Sequence, residues 1–183
     1  MVGRIKNMVL DVLYYAKERE LALSACRIKD FFEETASVVQ ARAETAGIEL
    51  VEELDDALED REFEVDPDQL RAALVNILDN AVDACREKAD RASPVVTFRA
   101  YPDDGNVLFE VEDNGIGMSE EVQSRIFTLF FSSKASQGTG IGLFITRKIV
   151  HQHGGEIEVR SRPGEGTRFR VRIPLERSAS PPG

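Results

Sequence analysis

The chain lacks any apolar run near the roughly 18–20 residues needed to cross a bilayer, so any membrane segment is expected to lie outside it. Its first residues are mixed in charge and helix-like, unlike an export signal. Cysteine is scarce. Cys26 and Cys85 stand alone and fit no metal-ligand spacing, which suggests reduced thiols in a cytoplasmic protein, with Cys85 packed on a helix. Histidine is confined to His151 and His153. Basic residues number 23 against 33 acidic ones, for a net charge of −10, which argues against a nucleic-acid platform. No Gly-x4-Gly-Lys-Ser/Thr occurs, which excludes a P-loop. Neither glycine-rich stretch follows a strand and opens a helix with Gly-x-Gly-x-x-Gly spacing, which excludes a dinucleotide fingerprint.

What is present suits one domain with a helical appendage: 183 residues, 42% of them apolar. The acidic excess is local. Residues 52–68 hold ten Asp or Glu and a single Arg, to be read as a solvated loop with short edge strands or as a docking surface for a basic partner.

Residues 1–22 read as one helix. Val2, Ile5, Val9, Val12 and Ala16 form a heptad-like seam, widened by Met8, Leu13 and Tyr15, and a face this wide calls for a partner helix. A second helix is expected over 28–46, ending near Gly47, with strands at 48–54 and 61–65. Asp66-Pro67-Asp68 is a strong helix start, since Asp66 can cap and Pro67 fits the first turn. That helix runs to about Lys88 with a buried stripe of Leu70, Leu74, Ile77, Leu78, Ala81 and Ala84. Alternation predicts strands at 95–101 and 106–112 around a Pro102-Asp-Asp-Gly105 turn. A short helix over 119–127, a helix over 140–153 stopped by Gly154-Gly155, and strands at 156–161 and 167–175 complete the domain. The pattern is α+β: a two-layer sandwich with helices on one face of a mostly antiparallel sheet. The last residues, 177–183, read as a disordered tail.

Four features carry chemistry. Asn76 and Asn80 lie one turn apart on one helix face. A carboxamide oxygen can complete a magnesium shell of phosphate oxygens and waters, and Asn on an apolar stripe is costly unless satisfied. Asp113 ends a strand and enters Gly115-Ile-Gly117, where a carboxylate can accept from an exocyclic amine and so select adenine over guanine; a plain turn with an Asp cap is the alternative. Gly138-Thr-Gly-Ile-Gly142 runs into a helix, whose free amides favour phosphate, although a flexible hinge reads the same way. Between these loops, Phe130 and Phe131 can anchor a mobile lid, and Lys134 can meet a terminal phosphate or simply be solvated.

The ordered set strongly resembles the catalytic, ATP-binding domain of bacterial sensor histidine kinases, within the superfamily of gyrase, heat-shock chaperone and mismatch-repair ATPases. The resemblance spans 29–175. Asn76–Ala84 is similar to the N box, Asp113–Met118 to the first glycine box, Ile126–Phe131 to the F box, Gly138–Leu143 to the second glycine box and Gly164–Thr167 to the last. It implies a Bergerat-type sandwich and the ligands ATP and Mg2+. Asn80 would be the metal ligand, with Asn76 and Lys134 joining it as catalytic residues near the phosphates. Asp113 would bind the adenine amine, supported by Thr167, with Gly115 and Gly117 against the nucleotide. Gly138, Gly140 and Gly142 would surround the phosphates. Asp83, Ile116, Met118, Phe127, Thr139, Ile141 and Leu143 would complete the contacts.

The superfamily's hydrolases place a water-activating Glu one turn before the metal-binding Asn. Here Asn76 stands there and cannot act as a general base, which favours transfer over hydrolysis. A histidine acceptor needs little base assistance. Residues 1–28 resemble the last helix of a dimerisation and phosphotransfer domain plus a linker, ahead of a catalytic domain at 29–176. The acceptor helix itself is not in this sequence, and His151 and His153 read as residues of a helix end. The implied partners are an acceptor dimerisation domain, a response-regulator receiver domain and, in a full-length protein, a second copy, with no nucleic acid and no membrane contact. The implied location is cytoplasmic. Two alternatives are an ATP-dependent, anti-sigma-like regulatory module without turnover, and a gyrase-class ATPase.

Overall fold

A computed structural model describes residues 20–88, 93–131 and 140–176. Strand β1 (Ser24–Arg27) leads directly into helix α1 (Ile28–Ala46). Strand β2 (Glu49–Leu54), a 3-10 turn (Asp56–Leu58) and strand β3 (Glu62–Val65) follow. Helix α2 (Pro67–Glu87) precedes the long hairpin β4 (Val95–Asp103) and β5 (Asn106–Asp113). Helices α3 (Glu120–Arg125) and α4 (Gly142–Gln152) lead to the closing hairpin β6 (Glu156–Arg162) and β7 (Gly166–Pro174).

The main sheet runs β2-β4-β5-β7-β6, with β2 parallel to β4 and every other pair antiparallel. Helices cover one face, so the chain is a mixed α/β sandwich, as its sequence pattern implies. Strand β1 pairs with β3 in a separate two-stranded ribbon. Neither β1 nor the 3-10 turn was expected. Four residues, Ser-Ala-Cys-Arg, are too few to display an alternation, and the ribbon is set by pairing from Ser24↔Val65 to Arg27↔Glu62. The seam at 1–19, the 89–92 and 132–139 segments and the tail at 177–183 lie outside the described residues. Residues 20–22, assigned to the first helix from sequence, are not helical.

The core is aromatic at its centre. Phe98 stacks on Phe32 at 4.3 Å and on Phe109 at 6.2 Å, and Phe31 meets Phe63 edge-on at 5.3 Å. Leu70, Leu74, Ile77 and Leu78 of α2 are fully buried against it. Helix α1 ends where Gly47 takes a left-handed φ of 68° and its N–H closes the last turn.

The opposite sheet face is an ion lattice. Glu110 is only 4% exposed. It lies on the central strand and accepts from Arg99 at 3.1 Å, Arg170 at 2.8 Å and the Tyr101 hydroxyl at 3.3 Å. Long arginine stems from β4 and β7 cover it. For Glu112, burial acts to raise the pKa, but ion pairs with Arg168 and Arg99 hold the carboxyl below its ordinary range.

One polar node ties the start of α2 to the end of α4. Asp66 caps α2 through the Gln69 N–H at 3.0 Å and accepts from the Ala22 N–H at 2.9 Å. Its own N–H donates to His153 Nε2 at 3.0 Å. His153 Nδ1 lies 2.7 Å from the Ile149 carbonyl, so that nitrogen carries the proton and Nε2 accepts. His153 is therefore a buried structural link. Phe98→Ala is expected to lower unfolding free energy by about 3–5 kcal/mol, the usual scale for a buried Phe. Urea denaturation checks this, and a loss under about 1 kcal/mol would place the core elsewhere.

Candidate nucleotide site

Helix α2 puts Asn76, Asn80 and Asp83 at i, i+4 and i+7, on one stripe turned away from the sheet. Leu74, Ile77, Leu78 and Ala81 take the sheet side. The stripe borders a cavity of about 380 Å³. The far side is built by the loop after β5, the start of α4 and β7.

The cavity lining includes Asn76, Asn80, Asp83, Asp113, Ile116, Gly117, Met118, Gly140, Gly142, Leu143 and Thr167. Gly115, Phe127 and Ile141 do not line it. Gly115 packs on the Ala84 backbone, which leaves no room for a Cβ. Phe127 lies behind Phe169, edge-on at 6.5 Å, and Phe169 itself lines the cavity. Ile141 is fully buried beneath the start of α4. Lys134, Gly138 and Thr139 lie outside the described residues. Helix α4 begins at Gly142 rather than Gly140, because Gly140 turns the chain at φ 69°.

Asp113 sits at the floor. It is 6% exposed, its Oδ1 accepts the Gly115 N–H at 2.8 Å, and the Thr167 N–H supports it from β7. Burial pushes its carboxyl up to about 6, only partly opposed by those two N–H groups. Gly117 adopts φ 65° with a Cβ position that would fall on the Arg162 carbonyl, so only glycine closes this turn. The Met118 N–H donates to Ser161 Oγ at 2.8 Å, and Ser161 Oγ lies 2.9 Å from Thr167 Oγ1. A serine on β6 thereby joins the loop after β5 to β7.

At the opposite end, Asn76 Nδ2 donates to Thr146 Oγ1 at 3.0 Å. Thr146 is 1% exposed on α4, so helices α4 and α2 share a buried contact. A Cβ on Gly142 would fall 2.7 Å from Asn76 Oδ1. Sequence reasoning missed Ser161 and Thr146, because single hydroxyls within strand and helix patterns carry no local signal. It also missed Arg42, whose guanidinium reaches Asp79 at 2.5 Å and Asp83 at 2.7 Å at the cavity mouth. Lys88 and Asn114 brace the loop from behind, with Lys88 Nζ 2.7 Å from the Asn114 carbonyl. The Cys85 thiol, pushed up to about 11 by burial and then by the Asp113 charge, is an inert packing group.

A buried carboxylate at one end, carboxamides at the other and glycines where backbone approaches closely make a cradle for a purine nucleotide. The family model for histidine kinase-, DNA gyrase B- and HSP90-like ATPases matches residues 65–177. The chain belongs to this ATPase family. Sensor histidine kinase ZraS of Escherichia coli K12 is 32% identical over 172 residues, 94% of this chain and 35% of ZraS. Sporulation kinase E of Bacillus subtilis is 30% identical over 176 residues, 96% of this chain and 23% of that kinase. The chain thus spans about a quarter to a third of these curated relatives. The catalytic domain of histidine kinase ThkA superposes with a TM-score of 0.73 at 28% identity, covering 85% of this chain and 97% of that domain. Full-length ShkA in complex with AMPPNP gives 0.80 at 28% identity, covering 95% of this chain and 36% of ShkA. The match is therefore to the catalytic, ATP-binding part of histidine kinases.

The Asp113 carboxyl holds its proton to a higher pH in the folded ATPase domain than in the unfolded chain. Its contribution to stability is therefore fullest below the ordinary carboxylate range and is lost as pH rises through about 6. Asp113→Asn keeps an acceptor for Gly115 and removes the buried charge. It is expected to stabilise the fold at pH 8 by roughly 1–3 kcal/mol and to have much less effect at pH 4. Urea unfolding at both pH values checks this, and equal effects at both would contradict it.

Proposed function

We propose that the cavity binds Mg-ATP and that the domain transfers its γ-phosphoryl group to a histidine on a dimerisation domain, for relay to a response-regulator receiver domain. The observation carrying this reading is the convergence of Asp113, Asn76 and Asn80 on one cavity. The Asp113 carboxylate accepts the exocyclic amine of adenine, with Thr167 beside it. Gly117, Gly140 and Gly142 admit the nucleotide to close backbone contact.

The donor chemistry fits a nucleotide-bound divalent cation. Asn80 faces the cavity with a neutral carboxamide, which suits a shell shared with phosphate oxygens and waters. Asn80 would hold magnesium, and Asn76 would stand beside the phosphates. Magnesium, when bound, neutralises phosphate charge and stabilises the transferring group.

Asn76 cannot take a proton from water, and its amide is oriented by Thr146. The neutral imidazole of an acceptor histidine needs no such help. Its nitrogen lone pair forms the N–P bond while the bond from γ-phosphorus to the bridging oxygen breaks, and ADP leaves with the electron pair. Positioning and charge stabilisation then supply the catalysis. Lys134, Gly138 and Thr139 belong to the same proposal as groups of the lid and phosphate loop. ThkA has been solved in complex with the response regulator TrrA, at 26% identity and a TM-score of 0.78 to this chain. That complex supports a receiver-domain partner here. Pairing with a second copy and a cytoplasmic location follow from the same reading. Among the described residues no helix is long and apolar enough to cross a membrane.

Given labelled ATP and a cognate acceptor domain, the domain is expected to place label on the acceptor histidine. Asn80→Ala is expected to abolish transfer and weaken magnesium-dependent ATP binding by roughly 10–100-fold, the scale on which metal sites respond to lost support. Calorimetry with and without magnesium reads the second effect. Unchanged Mg-ATP affinity in Asn80→Ala would sink the metal assignment.

A further inference from the structure

The cavity has an unexpected charge balance for a site that takes an anion. Asp79, Asp83, Glu87 and Asp113 line it, and among the described lining residues Arg42 is the sole cation. Arg42 belongs to α1, outside every nucleotide motif. It spans two carboxylates on successive turns of α2, with Nη1 2.5 Å from Asp79 and Nη2 2.7 Å from Asp83. Asp79 immediately precedes Asn80, and Asp83 continues the Asn76–Asn80 stripe by one turn. Both carboxylates line the cavity beside Asn76 and Asn80, the residues assigned above to the phosphate end.

We propose that Arg42 is an affinity- and specificity-setting residue of the nucleotide site, masking Asp79 and Asp83 so that the cavity accepts a triphosphate instead of only a nucleoside. The inference rests on reading the cavity as an ATP site. Two partly exposed carboxylates beside an incoming phosphate chain repel it, and a guanidinium bridging both, helped by Arg86 at 3.6 Å from Asp83, cancels much of that field. Arg42 does not replace magnesium, which travels with the phosphates. It prevents α2 from opposing them. The guanidinium also ties α1 to α2 at the cavity rim, so a purely structural role is the competing explanation.

The full chain is titrated by calorimetry with Mg-ATP and, separately, with adenosine, which carries the base but no phosphates. The variants are Arg42→Ala and the double variant Arg42→Ala, Asp79→Asn, which leaves the nucleotide-contact residue Asp83 in place. Arg42→Ala is expected to weaken Mg-ATP roughly tenfold and adenosine less than about twofold, with the Mg-ATP loss shrinking as salt rises toward about 0.5 M. The double variant is expected to recover at least about a third of the lost Mg-ATP affinity on a logarithmic scale. Parallel weakening of Mg-ATP and adenosine would overturn the proposal in favour of a structural tie. No recovery in the double variant would also overturn it, because Arg42 would then not be acting through the Asp79 carboxylate. Wild-type chain that binds adenosine but not Mg-ATP would instead refute the triphosphate reading, and the masking role with it.

Discussion

Helix α2 has to satisfy two environments at once, and the rest of the domain is arranged around that constraint. Leu70, Leu74, Ile77 and Leu78 have no exposure and lock the helix onto the sheet. The stripe of Asn76, Asn80 and Asp83 is thereby turned toward the cavity. Both ends are fastened. Asp66 and His153 hold the N-terminal cap, and Lys88 reaches the Asn114 carbonyl beyond the last turn. A carboxamide tolerated on such a helix must find partners, and Asn76 finds Thr146.

The cavity divides its chemistry by polarity. Its floor is desolvated, which raises Asp113 to about 6 and makes its carboxylate a demanding acceptor for an amine. Its mouth is charged, and there Arg42 bridges the α2 carboxylates of Asp79 and Asp83. Ser161 on β6 connects to the loop after β5 through the Met118 N–H and to β7 through the Thr167 hydroxyl. The ion lattice on the far face of the sheet fills a different role. It lets Glu110 be buried on a central strand by surrounding it with Arg99, Arg170 and Tyr101.

Much of this could be read from residue order alone, because its signals are local. The Asp66-Pro67 start, the apolar stripe of α2, the hairpin around Gly105 and the Gly154-Gly155 stop each act through neighbours a few residues away. The motifs that face the cavity were legible for the same reason. What escaped depends on distant pairing. Strand β1 exists only because β3 lies beside it, and Arg42 matters only because α1 crosses α2. Thr146 and Ser161 act across 70 and 43 residues of chain, to Asn76 and Met118 respectively.

On the proposed reading, this geometry holds ATP for transfer and does not activate water. The most direct measurement is steady-state ADP release by the chain at saturating Mg-ATP with no acceptor domain present. Because Asn76 cannot serve as a base, a transfer site predicts near-absent release. Sustained ADP release that disappears in Asn80→Ala would contradict it and identify a hydrolase.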